Sequence, residues 1–260
     1  MKISGNTILI TGGASGIGLE LAQQLLAKGN KIIITGRDQA KLKKAKENFP
    51  KIITIRSDVS KTQDIQALYA QVIKEFPELN ILINNAGIMK NINLQNSSDS
   101  LEALTEEIEI NLNGPIRMTK ILLEHLKTKS EAAILNVTSG LAFVPLPISP
   151  VYCATKAGLH SFTQSLRVQL KNTNVKVFEL APPATETELL AGTMKKEDRK
   201  GISVMSVQEM VGVAMRGLET NKFEICPGQS KQLRFMSRLA PNFILKQLSK
   251  PVEKMHSMRT

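Results

Sequence analysis

Six short runs of consecutive apolar, often β-branched residues recur along the first two-thirds of the chain, at 7–10, 31–35, 52–55, 81–83, 132–137 and 175–180. Strands with one face in water alternate polar and apolar residues; runs that do not alternate belong to strands buried on both faces. Longer amphipathic stretches separate them, at 16–28, 39–48, 62–76, 101–126 and 151–171. Such strand–helix alternation requires right-handed crossovers and predicts an α/β fold, a doubly wound, mostly parallel sheet of about seven strands flanked by helices. No Pro/Ser-rich linker and no repeat interrupts the pattern, so 1–228 read as one domain, followed by a basic extension at 229–260. Regular alternation stops at Pro182-Pro183, and 184–205 are polar and irregular, the composition of a mobile loop.

Hydrophobic residues make up 42% of the chain and charged residues 22%, which excludes a disordered protein. No stretch approaches ~18 uninterrupted apolar residues, and the first residues carry no secretory pattern, so neither a transmembrane helix nor export is expected. Cys153 and Cys226 are far apart and read as free thiols of a cytoplasmic protein. His125, His160 and His256 are scattered, and no metal site is expected. The net charge is +11, but +6 of it falls between Lys222 and the end. The basic character is therefore local to the tail, and nucleic acid is not an expected partner.

Four constellations carry chemistry. Directly after the first strand comes Thr11-Gly12-Gly13-Ala14-Ser15-Gly16-Ile17-Gly18, opening the first helix. Glycines there let the backbone turn and approach a pyrophosphate, and the helix N-terminus supplies amide donors. Gly12, Ser15, Gly16, Ile17 and Gly18 are the candidate phosphate cradle. At the end of strand two, Thr35-Gly36-Arg37 lacks the carboxylate that binds the ribose hydroxyls of NAD, while Arg37 offers a fork suited to a 2′-phosphate. This favours NADP(H) over NAD(H); the plainer alternative is a solvated arginine. Asp38 is expected to face the next helix. Asp58-Val59 and Asn84-Asn85-Ala86-Gly87 end strands three and four, where open sheets bind ligands. Asp58 suits an adenine amino group or a helix cap, and Ala86-Gly87 allow close approach to a ribose; the asparagines also suit a side-chain-stabilised turn.

The fourth constellation is Tyr152-Cys153-Ala154-Thr155-Lys156, with Ser139 and Asn111 upstream. Tyr152 and Lys156 share one helix face, about 6 Å apart along the axis. A free tyrosine ionises near ~10, and a nearby lysine with an oxidised nicotinamide would favour phenolate. Tyr152 could then exchange a proton with a carbonyl or alcohol oxygen that Ser139 also holds.

In this order and spacing the T-G-x3-G-x-G, N-N-A-G and Y-x3-K motifs resemble those of the short-chain dehydrogenase/reductase family, of the ~250-residue type with a single-domain Rossmann fold. The likeness covers the chain to about Leu190. It implies Tyr152 as general acid/base, Lys156 as the group that lowers the tyrosine pKa and binds the nicotinamide ribose, and Ser139 as the positioner of the substrate oxygen. It implies that Asn111 holds a water of a proton relay and that Thr187 bonds the nicotinamide carboxamide. A small carbonyl or alcohol substrate follows, as does a homodimer or homotetramer built on helices 101–126 and 151–171. Pro182-Pro183 departs from the usual Pro-Gly, and Ser15 stands where some NADP enzymes have a second basic residue, leaving Arg37 alone or with Lys41. Leu180-Ala181-Pro182-Pro183 and the basic extension resemble the DltE-like oxidoreductase branch.

In that extension Lys231, Arg234 and Arg238 share one helical face and Leu233, Met236, Leu239 and Ala240 another, before Pro241 interrupts. Such a helix can lie on an anionic membrane or pack as an ordinary surface helix. A non-catalytic NADP-binding regulator and a membrane-associated interaction protein remain alternatives to the enzyme, since fold does not dictate function.

Overall fold

The computed structural model describes residues 1–95, 99–194 and 203–257, the side chains of 253–257 excepted. Seven parallel strands form one sheet: β1 (Thr7–Thr11), β2 (Lys31–Gly36), β3 (Ile53–Arg56), β4 (Leu79–Asn84), β5 (Ala132–Val137), β6 (Val175–Leu180) and β7 (Glu224–Ile225). Their spatial order is β3-β2-β1-β4-β5-β6-β7, so the winding reverses between β1 and β4. A crevice at such a reversal, outside the carboxyl ends of the strands, is where this architecture binds ligands.

The helices are α1 (Gly16–Ala27), α2 (Gln39–Asn48), α3 (Thr62–Glu75), α4 (Leu101–Ile108), α5 (Gly114–Lys127), α6 (Pro150–Gln169), α7 (Glu188–Thr193), α8 (Val207–Glu219), α9 (Gln229–Leu239) and α10 (Pro241–Ser257). Ile8 and Ile10 of β1 point into a core shared with Leu21 and Leu25 of α1 and Leu218 of α8. Leu9, between them, points into a second core with Val72 of α3, Leu122 of α5 and Leu166 of α6. Two apolar layers, one on each face of the sheet, are the reason the strand sequences do not alternate.

Three sequence expectations change. The stretch 101–126 is not one helix: a π-helical turn, Glu109–Asn113, separates α4 from α5. Pro115 opens α5, and a proline ring clashes with the carbonyl four residues earlier, here that of Asn111, so the regular ladder cannot run through. The stretch 184–205 is not irregular throughout: it contains α7, and Thr185 bridges Met205 in parallel. Met205 N donates to Ala184 O at 2.9 Å and Glu186 N to Met205 O at 3.0 Å, pinning its two ends together; residues 195–202 lie outside the described residues. Strand β4 begins at Leu79, two residues earlier than the apolar run indicated.

Candidate active site

A cleft of about 1070 Å³ follows the carboxyl ends of β1 to β6. Of the candidate cofactor-binding and catalytic residues, Gly12, Ser15, Gly16, Ile17, Arg37, Asp58, Val59, Asn85, Ala86, Gly87, Ser139, Tyr152, Lys156, Pro182 and Thr187 line it, and Gly18 and Asn111 do not.

One end is a cradle of backbone. Gly12 has φ +63°, and a Cβ there would lie 2.7 Å from Ala86 Cα, so only glycine fits. Thr11 Oγ1 accepts from Asn85 N and Ala86 N, both at 3.1 Å. Asn85 Nδ2 donates to Thr11 O at 3.0 Å and Gly12 O at 2.9 Å. The Asn85 carboxamide therefore ties the β4 end to the glycine turn. Gly18 packs behind the turn, where a Cβ would meet that carboxamide and Gly12 O at 2.4 Å. Ser15 is the N-cap of α1 and makes no side-chain cap bond. The first turn of α1 thus faces the cleft at Ser15, Gly16 and Ile17, a site suited to an anion.

At the rim of this end, Arg37 is more than half exposed and pairs with Glu106 of α4 at 3.2 Å. Asp38 caps α2, accepting from Lys41 N at 3.1 Å, and so faces the next helix as expected. Lys41 Nζ pairs with Glu188 of α7 at 2.5 Å. Asp58 accepts from Ser60 N at 3.0 Å and Ser60 Oγ at 2.8 Å, closing a turn; the N-cap of α3 is Lys61. Burial works to raise the Asp58 carboxyl, but the Ser60 bonds and the Arg37 and Lys61 charges hold it below the usual range.

The other end holds Tyr152 and Ser139, both buried and neighbouring on the cleft wall. Lys156 Nζ donates to Val137 O at 2.9 Å and lies 5.7 Å from the Tyr152 ring centre. Ser139 Oγ also accepts from Leu141 N at 3.1 Å. The sequence argument expects Lys156 to help lower the tyrosine pKa. Burial pushes Tyr152 up to about 12, with Ser139 opposing and Cys153 and Glu107 adding to the rise. Burial also drives Lys156 down to about 8, which leaves it a cation at neutral pH.

Asn111 is fully buried within the π-helical turn. Its Oδ1 accepts from Ile88 N at 2.9 Å, and its Nδ2 donates to Ile88 O at 2.8 Å and Thr155 Oγ1 at 3.2 Å. It fastens the chain after β4 to α6, one residue away from Lys156. Thr187 caps α7, with Oγ1 accepting from Leu190 N at 3.3 Å and donating to Thr185 O at 3.2 Å.

A sequence model of the family described as short chain dehydrogenase matches residues 6–198. The chain belongs to the short-chain dehydrogenase/reductase family. It is 44% identical over 251 residues to the uncharacterized oxidoreductase DltE of Bacillus subtilis (strain 168), covering 96% of this chain and 98% of that protein. Among solved structures it is similar to a short chain dehydrogenase from Burkholderia cenocepacia J2315 in complex with NADP, with TM-score 0.81 and 24% identity. That match covers 95% of this chain and 99% of the other. A second is 3-ketoacyl-(acyl-carrier-protein) reductase from Brucella melitensis complexed with NADH, with TM-score 0.76 and 30% identity, covering 83% and 91%. The DltE-like branch and the Rossmann-type sheet inferred from the motifs both stand.

Within this short-chain dehydrogenase, Glu107 went unnoticed in the sequence. It is fully buried, with Oε1 accepting from Lys90 N at 2.9 Å and Oε2 without a partner, and burial raises its pKa. The signal was available: Glu107 precedes Asn111 by four, so both fall on the inward face of α4 and its continuation. Glu106 beside it pairs with both Arg37 and Lys90, joining the rim to the chain after β4.

Proposed function

We propose that this chain is an NADP(H)-preferring oxidoreductase that interconverts a carbonyl and an alcohol, with Tyr152, Ser139, Lys156 and Asn111 as its working residues. The observation that carries the reading is that Tyr152, Ser139 and Lys156, all buried, line the same cleft as a glycine cradle that a Cβ would fill. The cradle and the first turn of α1 fit the pyrophosphate of a dinucleotide, and Gly87, Pro182 and Thr187 line its path toward Tyr152. Arg37, with no carboxylate at Gly36, would take a 2′-phosphate in place of Glu106. Asp58 and Val59 would border the adenine, and Ala86 the adjoining ribose. When bound, the nicotinamide gives or takes the hydride.

The chain's own part is the proton. Tyr152, neutral in its buried setting, donates its phenolic proton to the carbonyl oxygen while Ser139 holds that oxygen. Lys156 would bind the nicotinamide ribose and, as a cation, ease the return of a proton to Tyr152. Asn111 positions the α6 turn beneath them through Thr155.

The reading includes a cytoplasmic homo-oligomer. Both cysteines are free thiols, and Val168 on α6 is 75% exposed, an apolar side chain open to a partner α6. No helix among the described residues is long and apolar enough to cross a membrane.

Two variants test the reading. Tyr152→Phe keeps the ring and should retain NADPH affinity while turnover falls by at least ~10²-fold. Arg37→Ala should weaken NADPH by ~1.5–3 kcal/mol and leave NADH nearly unaffected. Full activity in the first, or equal NADPH and NADH affinity in the parent, ends the corresponding part.

A further inference from the structure

We infer that the outer side of α9 and α10 is a docking face for an anionic lipid surface, on which the protein rests peripherally. This holds whether or not the cleft performs the proposed reaction. Both helices are fixed to the fold along one side. Ser230 is fully buried against Gly140, where a Cβ would meet its Oγ at 2.6 Å. Arg234 pairs with Glu224 of β7 and lies 6.0 Å from the Phe143 ring. Leu248 and Val252 pack on the buried cluster Leu146, Ile148, Tyr152 and Cys153. Helices held in this way present a preformed opposite side, and that side carries apolar residues into water. Phe235 is 64% exposed, Leu239 69%, Phe243 57% and Leu245 37%, and none of the four lines the cleft. Of the apolar face read in the sequence, Leu233 and Met236 line the cleft, whereas Leu239 points away from it. Exposed Leu94, Leu101 and Val168 lie singly elsewhere and need no partner; four large apolar residues between 235 and 245 form a patch.

The charge on the same stretch is of one sign. No Asp or Glu occurs from Ile225 to Val252, while Lys231, Arg234, Arg238, Lys246 and Lys250 all fall there. Among the described residues Arg234 alone of the five is in an ion pair. Lys231, Arg238 and Lys246 are exposed and, like the four apolar residues, lie off the cleft. Apolar side chains interleaved with lysine and arginine suit an interfacial helix: rings and branched chains enter the acyl boundary, and the cations meet lipid phosphates. Such a helix lies on the surface, and none among the described residues is long and apolar enough to cross it. A second copy of the chain fits worse. An isologous contact sets one patch against itself, and with no acid on it cation would meet cation. Nucleic acid would answer the cations but leave Phe235, Leu239 and Phe243 against a charged backbone. An anionic bilayer answers both.

The test uses the full chain and co-sedimentation with two kinds of vesicle, phosphatidylcholine alone and phosphatidylcholine with three parts in ten of phosphatidylglycerol. The parent should sediment with the anionic vesicles and not with the neutral ones, and rising salt should release it. Lys231→Gln with Arg238→Gln should weaken partitioning by ~25-fold, since each cation at an anionic surface is worth roughly fivefold. Phe235→Ser with Phe243→Ser should weaken it by at least ~10-fold at unchanged charge. The altered side chains are exposed, so unfolding temperatures should stay near that of the parent. Should a variant fail to fold, the neutral-against-anionic comparison and the salt series on the parent decide. No binding of the parent to anionic vesicles, equal binding to both kinds, or folded variants that bind as the parent does overturn the inference. Two other occupants would overturn it as well. A lower mass by light scattering for the phenylalanine variant than for the parent assigns the face to a second copy. Tighter binding of a DNA duplex than of anionic vesicles, retained in the phenylalanine variant, assigns it to nucleic acid.

Discussion

Along the cradle end of the cleft, backbone meets backbone: the Gly12 turn touches Ala86, and the Thr11 hydroxyl and Asn85 carboxamide sew β1 to β4. Where α10 meets the reacting end, side chains meet side chains: Leu248 and Val252 pack on Leu146 and Ile148. Backbone has no rotamers, so a misfit in the cradle cannot be absorbed locally. Leu and Met side chains can repack around a changed neighbour at modest cost. The division between an unyielding wall and an adjustable one follows from which atoms make the contact.

The largest expected effect comes from breaking the unyielding wall. Gly12→Ala forces a side chain into a left-handed backbone position and against Ala86. It should cost stability on the order of 1–3 kcal/mol and, by displacing the cradle, lower NADP(H) affinity by ~10²-fold or more. Calorimetric titration of NADPH gives the answer, and an unchanged Kd would show the cradle to be as adaptable as the α10 side.

Lys156 lies where the two walls meet. Its pKa falls from an ordinary 10.5 to about 8 in the folded chain. Below about pH 8 both folded and unfolded states hold the proton, and the folded state bears the full cost of a dehydrated cation. Between about 8 and 10.5 the unfolded state binds more protons, so stability rises with pH through that window. Urea unfolding of the parent and Lys156→Met should therefore show their difference moving toward the parent by up to about 3 kcal/mol. The Tyr152 shift acts with the opposite sign, from 10.0 up to about 12, but is common to both proteins. A difference independent of pH would mean that Lys156 is well hydrated.

The smallest effect concerns the rim. The Lys41 and Glu188 side chains are 46% and 71% exposed, so Lys41→Ala should change stability by less than ~1 kcal/mol. A larger loss, read by thermal unfolding, would move α7 into the rigid category.

Much of the cradle was legible because its determinants are neighbours in the chain: a strand, a glycine turn and a helix start within Thr7–Thr11 and the residues that follow. Tyr152 and Lys156 were legible as a pair because helix geometry alone places them on one face. Asn111 was legible as a residue but not in its setting. Its π-helical turn depends on Pro115 and on the distant Ile88 backbone. Thr187 and Asn85 line the cleft, and their hydrogen bonds also hold α7 and the glycine turn, partners that the sequence did not reveal. A polar type signals that a side chain can bond, not with what. The two-residue β7 carried no periodicity to read, being too short for one.

The sequence by itself determined a parallel sheet covered on both faces, a glycine-rich turn after β1, an arginine preceded by glycine after β2, and a Tyr–Lys pair on one helix. Each follows from local stereochemistry or from a repeating pattern of apolar residues. Only the tertiary structure decided that Tyr152 is enclosed, that Arg37 faces Glu106, that Glu107 is buried, and that the basic tail lines the cleft. Those properties depend on which atoms surround a group and exclude water from it. Gly140 and Ser230, ninety residues apart in the chain, touch because the sheet and α6 bring them together, and no short-range pattern encodes that contact.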